Sequence, residues 1–271
     1  MNNRSRWLRL VLGMVLGMVL AALMALNLEV SSTLAQMPNY DAIEFIMPET
    51  LLPKERVLYG RLAGCPCFGC QSRFVGLVPP TNIGLTSTER PTFFVTLASI
   101  TDKNGQPLQS DSTSTIPVEL AIVDEDEDEL VAIAEFSSPA MNGTMAFTLP
   151  ETVRGLDIDN PYHWYISLIC DREDRISDIW ADGWVKRIEL TPALRQTIAT
   201  ASELEKLAVY AHEGFWYETL AILAQQLEAE PDNPSVQKAW ERVLTSVQLE
   251  EAAKESVIPS TSIQLLSTSH N

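Results

Sequence analysis

Cys65-Pro66-Cys67-Phe68-Gly69-Cys70 places three thiols within six residues, and Cys170 is the fourth cysteine of the 271-residue chain. Thiolates this close could hold zinc or a cuprous ion. Structural zinc sites usually pair two Cys-x-x-Cys knuckles, whereas here one Cys-x-x-Cys overlaps one Cys-x-Cys. A thioredoxin-type redox pair needs Cys-x-x-Cys opening a helix in a βαβ unit, and Gly69 followed by an apolar β-type run does not supply that setting. Four is an even count, so in an oxidising compartment the leading expectation is disulfide pairing among Cys65, Cys67, Cys70 and Cys170. A metal site on Cys65, Cys67 and Cys70, or a redox role, is the alternative. Cys170 also reads as a small buried hydrophobe.

The other chemistry-bearing residues point to structure. Six consecutive acids, Asp124 to Glu129, lie between two apolar runs. A calcium loop needs spaced ligands and a turn-forming glycine; this run reads instead as a solvated hairpin tip that resists edge pairing. Asp171, Asp174, Asp178 and Asp182 are interleaved with Arg172 and Arg175, which internal ion pairs and turn caps explain more cheaply than calcium. His163 shares a strand face with Tyr165 and Ser167, but Ser167 lies ~13 Å along an extended strand, beyond any hydrogen bond. His212-Glu213-Gly214 lacks the second histidine of a His-Glu-x-x-His helix, because Trp216 stands there. No P-loop, dinucleotide fingerprint or nucleophile elbow is found. A carbohydrate-active hydrolase working through a carboxylate pair needs no local motif and is a further alternative. Trp164 has the parity of a core residue. Trp180 and Trp184 share theirs with Asp182 on a mixed face, and Trp216 and Trp240 sit at helix-packing positions.

Nineteen Lys and Arg against 36 Asp and Glu give a formal charge of −17. Such a balance argues against nucleic acid, whose phosphates need cations, and against anionic lipid. With 46% hydrophobic residues the chain is globular rather than disordered.

The N-terminus has the order of an export signal. Arg4, Arg6 and Arg9 precede the 16-residue uncharged run Val11 to Leu26, and Thr33-Leu34-Ala35 follows. Cleavage is expected before Gln36, leaving the protein periplasmic or secreted. The run falls short of the ~20 residues a spanning helix prefers; an uncleaved inner-membrane anchor over 11–26 is the alternative and would be the chain's one membrane contact.

After this signal peptide, 1–35, comes an irregular Pro- and Cys-containing lead-in, 36–73. Seven short β-type runs then recur over 74–190: Phe74–Val78, Thr92–Leu97, Val118–Val123, Leu130–Phe136, Met141–Leu149, Tyr162–Cys170 and Ile179–Ile188. Without intervening helical patterns they predict an antiparallel β-sandwich of the immunoglobulin or fibronectin kind. Tyr162, Trp164, Ile166, Leu168 and Cys170 fall on one face, and a tyrosine at that strand start ties down the corner in such sandwiches. From Thr191-Pro192 the period turns helical. Ser202-x-x-Glu205 is a capping box, and Tyr210, Gly214, Trp216, Leu223 and Pro231 have the offsets of a tetratricopeptide (TPR) repeat. This TPR-like tail spans 191–253, and a polar, flexible C-terminus, 254–271, follows. One and a half repeats cannot close a core, so the helices must lean on the sandwich or on a partner.

Several stretches together resemble an exported cyanobacterial family catalogued as domain of unknown function 928. They are Gly76-Leu77-Val78-Pro79 with Gly84-Leu85-Thr86, Arg90-Pro91-Thr92-Phe93-Phe94, Tyr162 to Asp171, Asp174-Arg175-x-x-Asp178, Gly183-Trp184-Val185-x-Arg187 and the Tyr210 to Leu223 helices. The resemblance covers roughly 60 to 250 and implies an envelope or secreted role without a defined activity. Three cysteines interleave the Gly- and Arg-rich lead-in usual there, Arg61, Gly64, Gly69 and Arg73.

The function expected is a non-catalytic binding or scaffolding module of the cell envelope that needs no cofactor. Helical-repeat grooves and sandwich loops both recognise proteins, and the expected partner is another envelope or secreted protein. Tyr210 and Tyr217, on the groove side of the helical pair, are the candidate contacts.

Overall fold

The computed structural model describes residues 39–48, 73–98, 115–124 and 126–269. Among these residues nine strands form two sheets. The small sheet has the order β1-β3-β6, with β1 Arg73–Gly76, β3 Thr92–Ala98 and β6 Gly143–Thr148. The large one has the order β2-β8-β7-β4-β5-β9: β2 Ile83–Thr86, β4 Thr115–Asp124, β5 Glu129–Pro139, β7 Pro161–Leu168, β8 Ile179–Arg187 and β9 Gln264–Ser269. Four helices follow β8: α1 Pro192–Thr200, α2 Glu203–His212, α3 Trp216–Ala229 and α4 Pro234–Ser246. The described residues all belong to one compact unit.

Strict alternation builds the large sheet. Buried and less buried residues alternate along β4 and β7, as one covered and one open face require. Tyr162, Trp164, Ile166 and Leu168 are fully buried, on the face that alternation assigns them. Across the core Phe93 of β3 meets Trp164 of β7 at 5.4 Å, and Phe136 of β5 meets Phe147 of β6 at 5.2 Å. β3 is buried on both sides: Phe93 faces the large sheet, while Phe94 faces Trp240 of α4 at 6.5 Å. The helices therefore complete the core of the small sheet. The tie at the β7 start is present, with the Tyr162 hydroxyl donating to Asp157 Oδ2 at 3.2 Å and accepting from the Asp157 amide at 3.4 Å.

The structure corrects three expectations. The sheets are not purely antiparallel, because β2 pairs parallel with β8; its Ile-Gly-Leu-Thr is too short and Gly-interrupted to read as a strand. The C-terminus is not uniformly loose, because β9 pairs antiparallel with β5 through backbone bonds that polar residues make as well as apolar ones. β7 ends at Leu168, so Cys170 lies beyond the strand, packed against the core but only half-buried.

The expected caps hold α1 and α2. Thr191 Oγ1 accepts from the Leu194 amide ahead of Pro192, and Ser202 and Glu205 form the reciprocal box. Gly214, at φ +77°, reverses the chain between α2 and α3, and a Cβ there would come within 2.5 Å of the Pro48 ring. The described part of the lead-in packs on the helices. The Ile46 amide donates to Ala211 O at 3.0 Å, Arg242 Nη1 donates to Tyr40 O at 3.0 Å, and Phe45 sits edge-on to Trp216 at 4.8 Å. Among the described residues no helix is long and apolar enough to cross a membrane; residues 11–26 lie outside them.

Candidate interaction surface

The non-core face of the large sheet carries a polar and aromatic cluster. Register sets His163 beside Trp184, and Tyr165 beside Asp182. His163 Nε2 lies 2.8 Å from Asp182 Oδ2, and Tyr165 Oη lies 2.7 Å from His163 Nδ1. A carboxylate only accepts, so Nε2 carries a proton, and in the Nε2–H tautomer Nδ1 accepts from the phenol. The imidazole also stacks on Trp184 at 4.5 Å, and Trp180 meets Tyr165 edge-on at 6.1 Å. His163 and Asp182 side chains are 12% and 9% exposed, so these bonds satisfy polar groups largely removed from water. Chemically the order is carboxylate, imidazole, phenol. Sequence reasoning tested His163 only against Ser167 on its own strand. Asp182 arrives from the neighbouring strand, and only the β7–β8 register could have revealed it.

The acidic runs resolve into turns and ion pairs. Asp124 Oδ1 accepts from the amides of Asp126 and Glu127, its Oδ2 accepts from Asn160, and Asp128 has φ +52°. This is the hairpin tip between β4 and β5. Asp171 caps the Glu173 amide, and Asp174 caps that of Ile176. Asp178 accepts from the Cys170 amide at 3.1 Å and pairs with Arg175, which reaches Glu119 at 3.0 Å. Arg172 pairs with Glu135. Among the described residues no group of three or more His, Cys, Asp or Glu is placed to hold a metal. Cys65, Cys67 and Cys70 lie outside those residues.

The two tyrosines expected to contact a partner have different fates. Tyr217 does not line an open groove: it is 1% exposed. Its hydroxyl accepts from Trp164 Nε1 at 2.8 Å and donates to Trp184 O at 2.9 Å, and burial pushes the phenol far above its ordinary range. At the first turn of α3, behind Phe215 and Trp216, this tyrosine fills the junction with β2 and β7. Tyr210 is half-buried, edge-on to Phe215 at 5.7 Å.

Glu218 was not singled out by sequence. Its Oε1 accepts from Thr86 Oγ1 at 2.9 Å, from the Ser87 amide at 2.6 Å, from Ser87 Oγ at 2.8 Å and from the Thr88 amide at 3.2 Å. Oε2 is buried with no hydrogen-bond partner. Burial raises the carboxyl above its ordinary pKa, against the pull of those donors. Glu218 thus fastens α3 to the corner after β2. A lone glutamate in a helix leaves no such signal in sequence.

One part of the helical region is not absorbed into the core. α1 buries none of its residues, and Leu194 and Ile198 on one stripe are only half-buried. Beside it lies an open cavity of about 340 Å³, lined by Thr197, Thr200, Ala201, Glu205, Ala208 and Val209 of α1, α2 and the turn between them.

Comparison with known proteins adds one match. A family model described as Domain of Unknown Function (DUF928) covers residues 60–257. No curated protein and no solved structure matches.

Proposed function

We propose that this chain, which belongs to the DUF928 family, is an exported, non-catalytic binding or scaffolding protein of the cell envelope. The observation that carries the reading is α1, a capped helix that buries none of its residues and flanks an open cavity. A nine-residue helix gains too little from propensity to stand alone in water. A helix or strand of a partner laid against Leu194, Ile198, Ala208 and Val209 would supply the missing apolar contact. The body behind it, two sheets closed by packed helices, is a rigid base for such a surface. We read that body as an immunoglobulin-like sandwich and the helices as a TPR-like remnant docked on it.

Export rests on the basic, apolar and small-residue order of 1–35, and the resemblance adds a cyanobacterial envelope. We read Cys170 as one half of a disulfide, a bond that fits an oxidising compartment.

A photo-crosslinking residue at Thr197, in protein expressed in its own host, tests the reading. The expected result is a discrete adduct with an envelope protein from Thr197 and none from Glu228, on mature protein beginning near Gln36. Equal adducts from both positions, or an intact Met1 on protein in the cytoplasm, would overturn it.

A further inference from the structure

We infer that β9 is the contact by which two copies of this chain pair, antiparallel, into one continuous sheet. Among the described residues β9 ends the large sheet, so one row of its backbone N–H and C=O groups has no strand beside it, the usual template for strand addition. The strand at the opposite edge, β2, is four residues long and buried throughout, with α3 packed on it so closely that a Cβ on Gly84 would lie within 3 Å of both Trp216 and Tyr217. β9 has six residues, of which five are exposed.

The apolar rows show what is missing beside it. Register aligns Ile179, Leu168, Val118, Phe136 and Leu265 across five strands on the core face. Their exposures run 1%, 0%, 0%, 6% and 47%. The row stops at a half-covered leucine at the edge. An antiparallel neighbour related by a two-fold axis through Leu265 sets Leu265 against its own equivalent, and each row then continues into the other. A two-fold contact is self-complementary by construction. Leu266 is the extra residue of a bulge opposite Glu135 and Phe136. The bulge twists the strand beyond it, so the shared ladder centres on Leu265 and stays short.

Charge selects the occupant. No Asp, Glu, Lys or Arg occurs from Val257 to Asn271, in a chain whose formal charge is −17. Two acidic copies can meet there without opposing like charges, whereas a basic partner strand would find no carboxylate on β9 to pair with. Natural edges are usually guarded by lysine, proline or charge, and the exposed strand carries none of these.

Sedimentation of the purified protein over a concentration series tests the inference, with Leu265→Lys as the variant. The wild type is expected to shift toward twice the monomer mass as concentration rises. Leu265→Lys should stay monomeric at an unchanged melting temperature, since the side chain is half exposed. Leu265→Cys provides an independent readout, because the axis brings the two residues within disulfide reach and oxidation should yield a covalent dimer. A wild type that stays monomeric up to about 1 mM, the limit of a useful association, would overturn the inference. So would a dimer that Leu265→Lys leaves intact.

Discussion

Trp164, in the middle of β7, donates its indole N–H to the hydroxyl of Tyr217, in the first turn of α3, at 2.8 Å. The two residues are 53 positions apart and both are fully buried. The same hydroxyl donates onward to Trp184 O on β8. One phenol thus joins the helices to two strands of the large sheet, and the helices are part of the body rather than an appendage.

Tyr217→Phe keeps the ring and removes this joint. A buried indole N–H and a buried carbonyl each lose a partner, at ~1–3 kcal/mol for an unsatisfied group. The melting temperature should fall by several degrees, at about 2–4 °C per kcal/mol for a domain of this size. Tyr217→Ser should cost more, through the cavity. Calorimetry checks both, and a change under 1 °C for Tyr217→Phe would contradict the joint.

Glu218 makes stability depend on pH in a definite direction. Its folded pKa is raised, so the folded state binds the proton more tightly than the unfolded chain does. The contribution is complete below the ordinary carboxyl range and is lost as pH rises from there to the raised value. Glu218→Gln mimics the protonated form, so its stability loss over that interval should be smaller than the wild type's. Glu218→Ala strands Thr86, Ser87 and Thr88 donors and should destabilise at every pH by ~2–4 kcal/mol. Denaturant melts from pH 4 to 8 decide; parallel wild-type and Glu218→Gln curves would contradict the assignment.

Gly84→Ala should destabilise by ~1–3 kcal/mol, as overpacking does. The added carbon would lie 2.8 Å from the Tyr217 ring and 2.9 Å from Trp216, and neither ring can swing aside inside the core. Chemical denaturation measures it, and a neutral outcome would mean that α3 sits further from β2.

Nitrogen NMR of His163 should show the proton on Nε2, the tautomer fixed by Asp182 and Tyr165. Asp182→Ala leaves that N–H without its acceptor and should cost ~1–3 kcal/mol. A proton on Nδ1 in the wild type would reverse the direction of the Tyr165 bond.

Local pattern made much of this legible before the structure. The core face of β7, the capping box of α2, the Thr191-Pro192 start and the acidic hairpin tip all follow from periodicity or side-chain chemistry within a few residues. What escaped depends on distant pairing. β2 and β9 are strands because β8 and β5 lie beside them. Asp182 meets His163 through the β7–β8 register, and Glu218 meets Thr86 and Ser87 across 132 and 131 positions. Tyr217 was expected on a groove because a TPR-like hairpin exposes its concave side. Here β2 and β7 occupy that side, and the exposed surface moves out to α1.

Thr197→Arg measures the central claim most directly, because it fills the cavity beside α1 from an exposed position and leaves the core untouched. The binding reading predicts an unchanged melting temperature, as expected of surface substitutions, together with loss of the envelope adduct that forms when the photo-crosslinking residue sits at Thr200, which lines the same cavity. Tyr217→Phe, at a temperature where it is still folded, should keep that adduct. Retention of the adduct by folded Thr197→Arg would contradict a partner surface between α1 and α2.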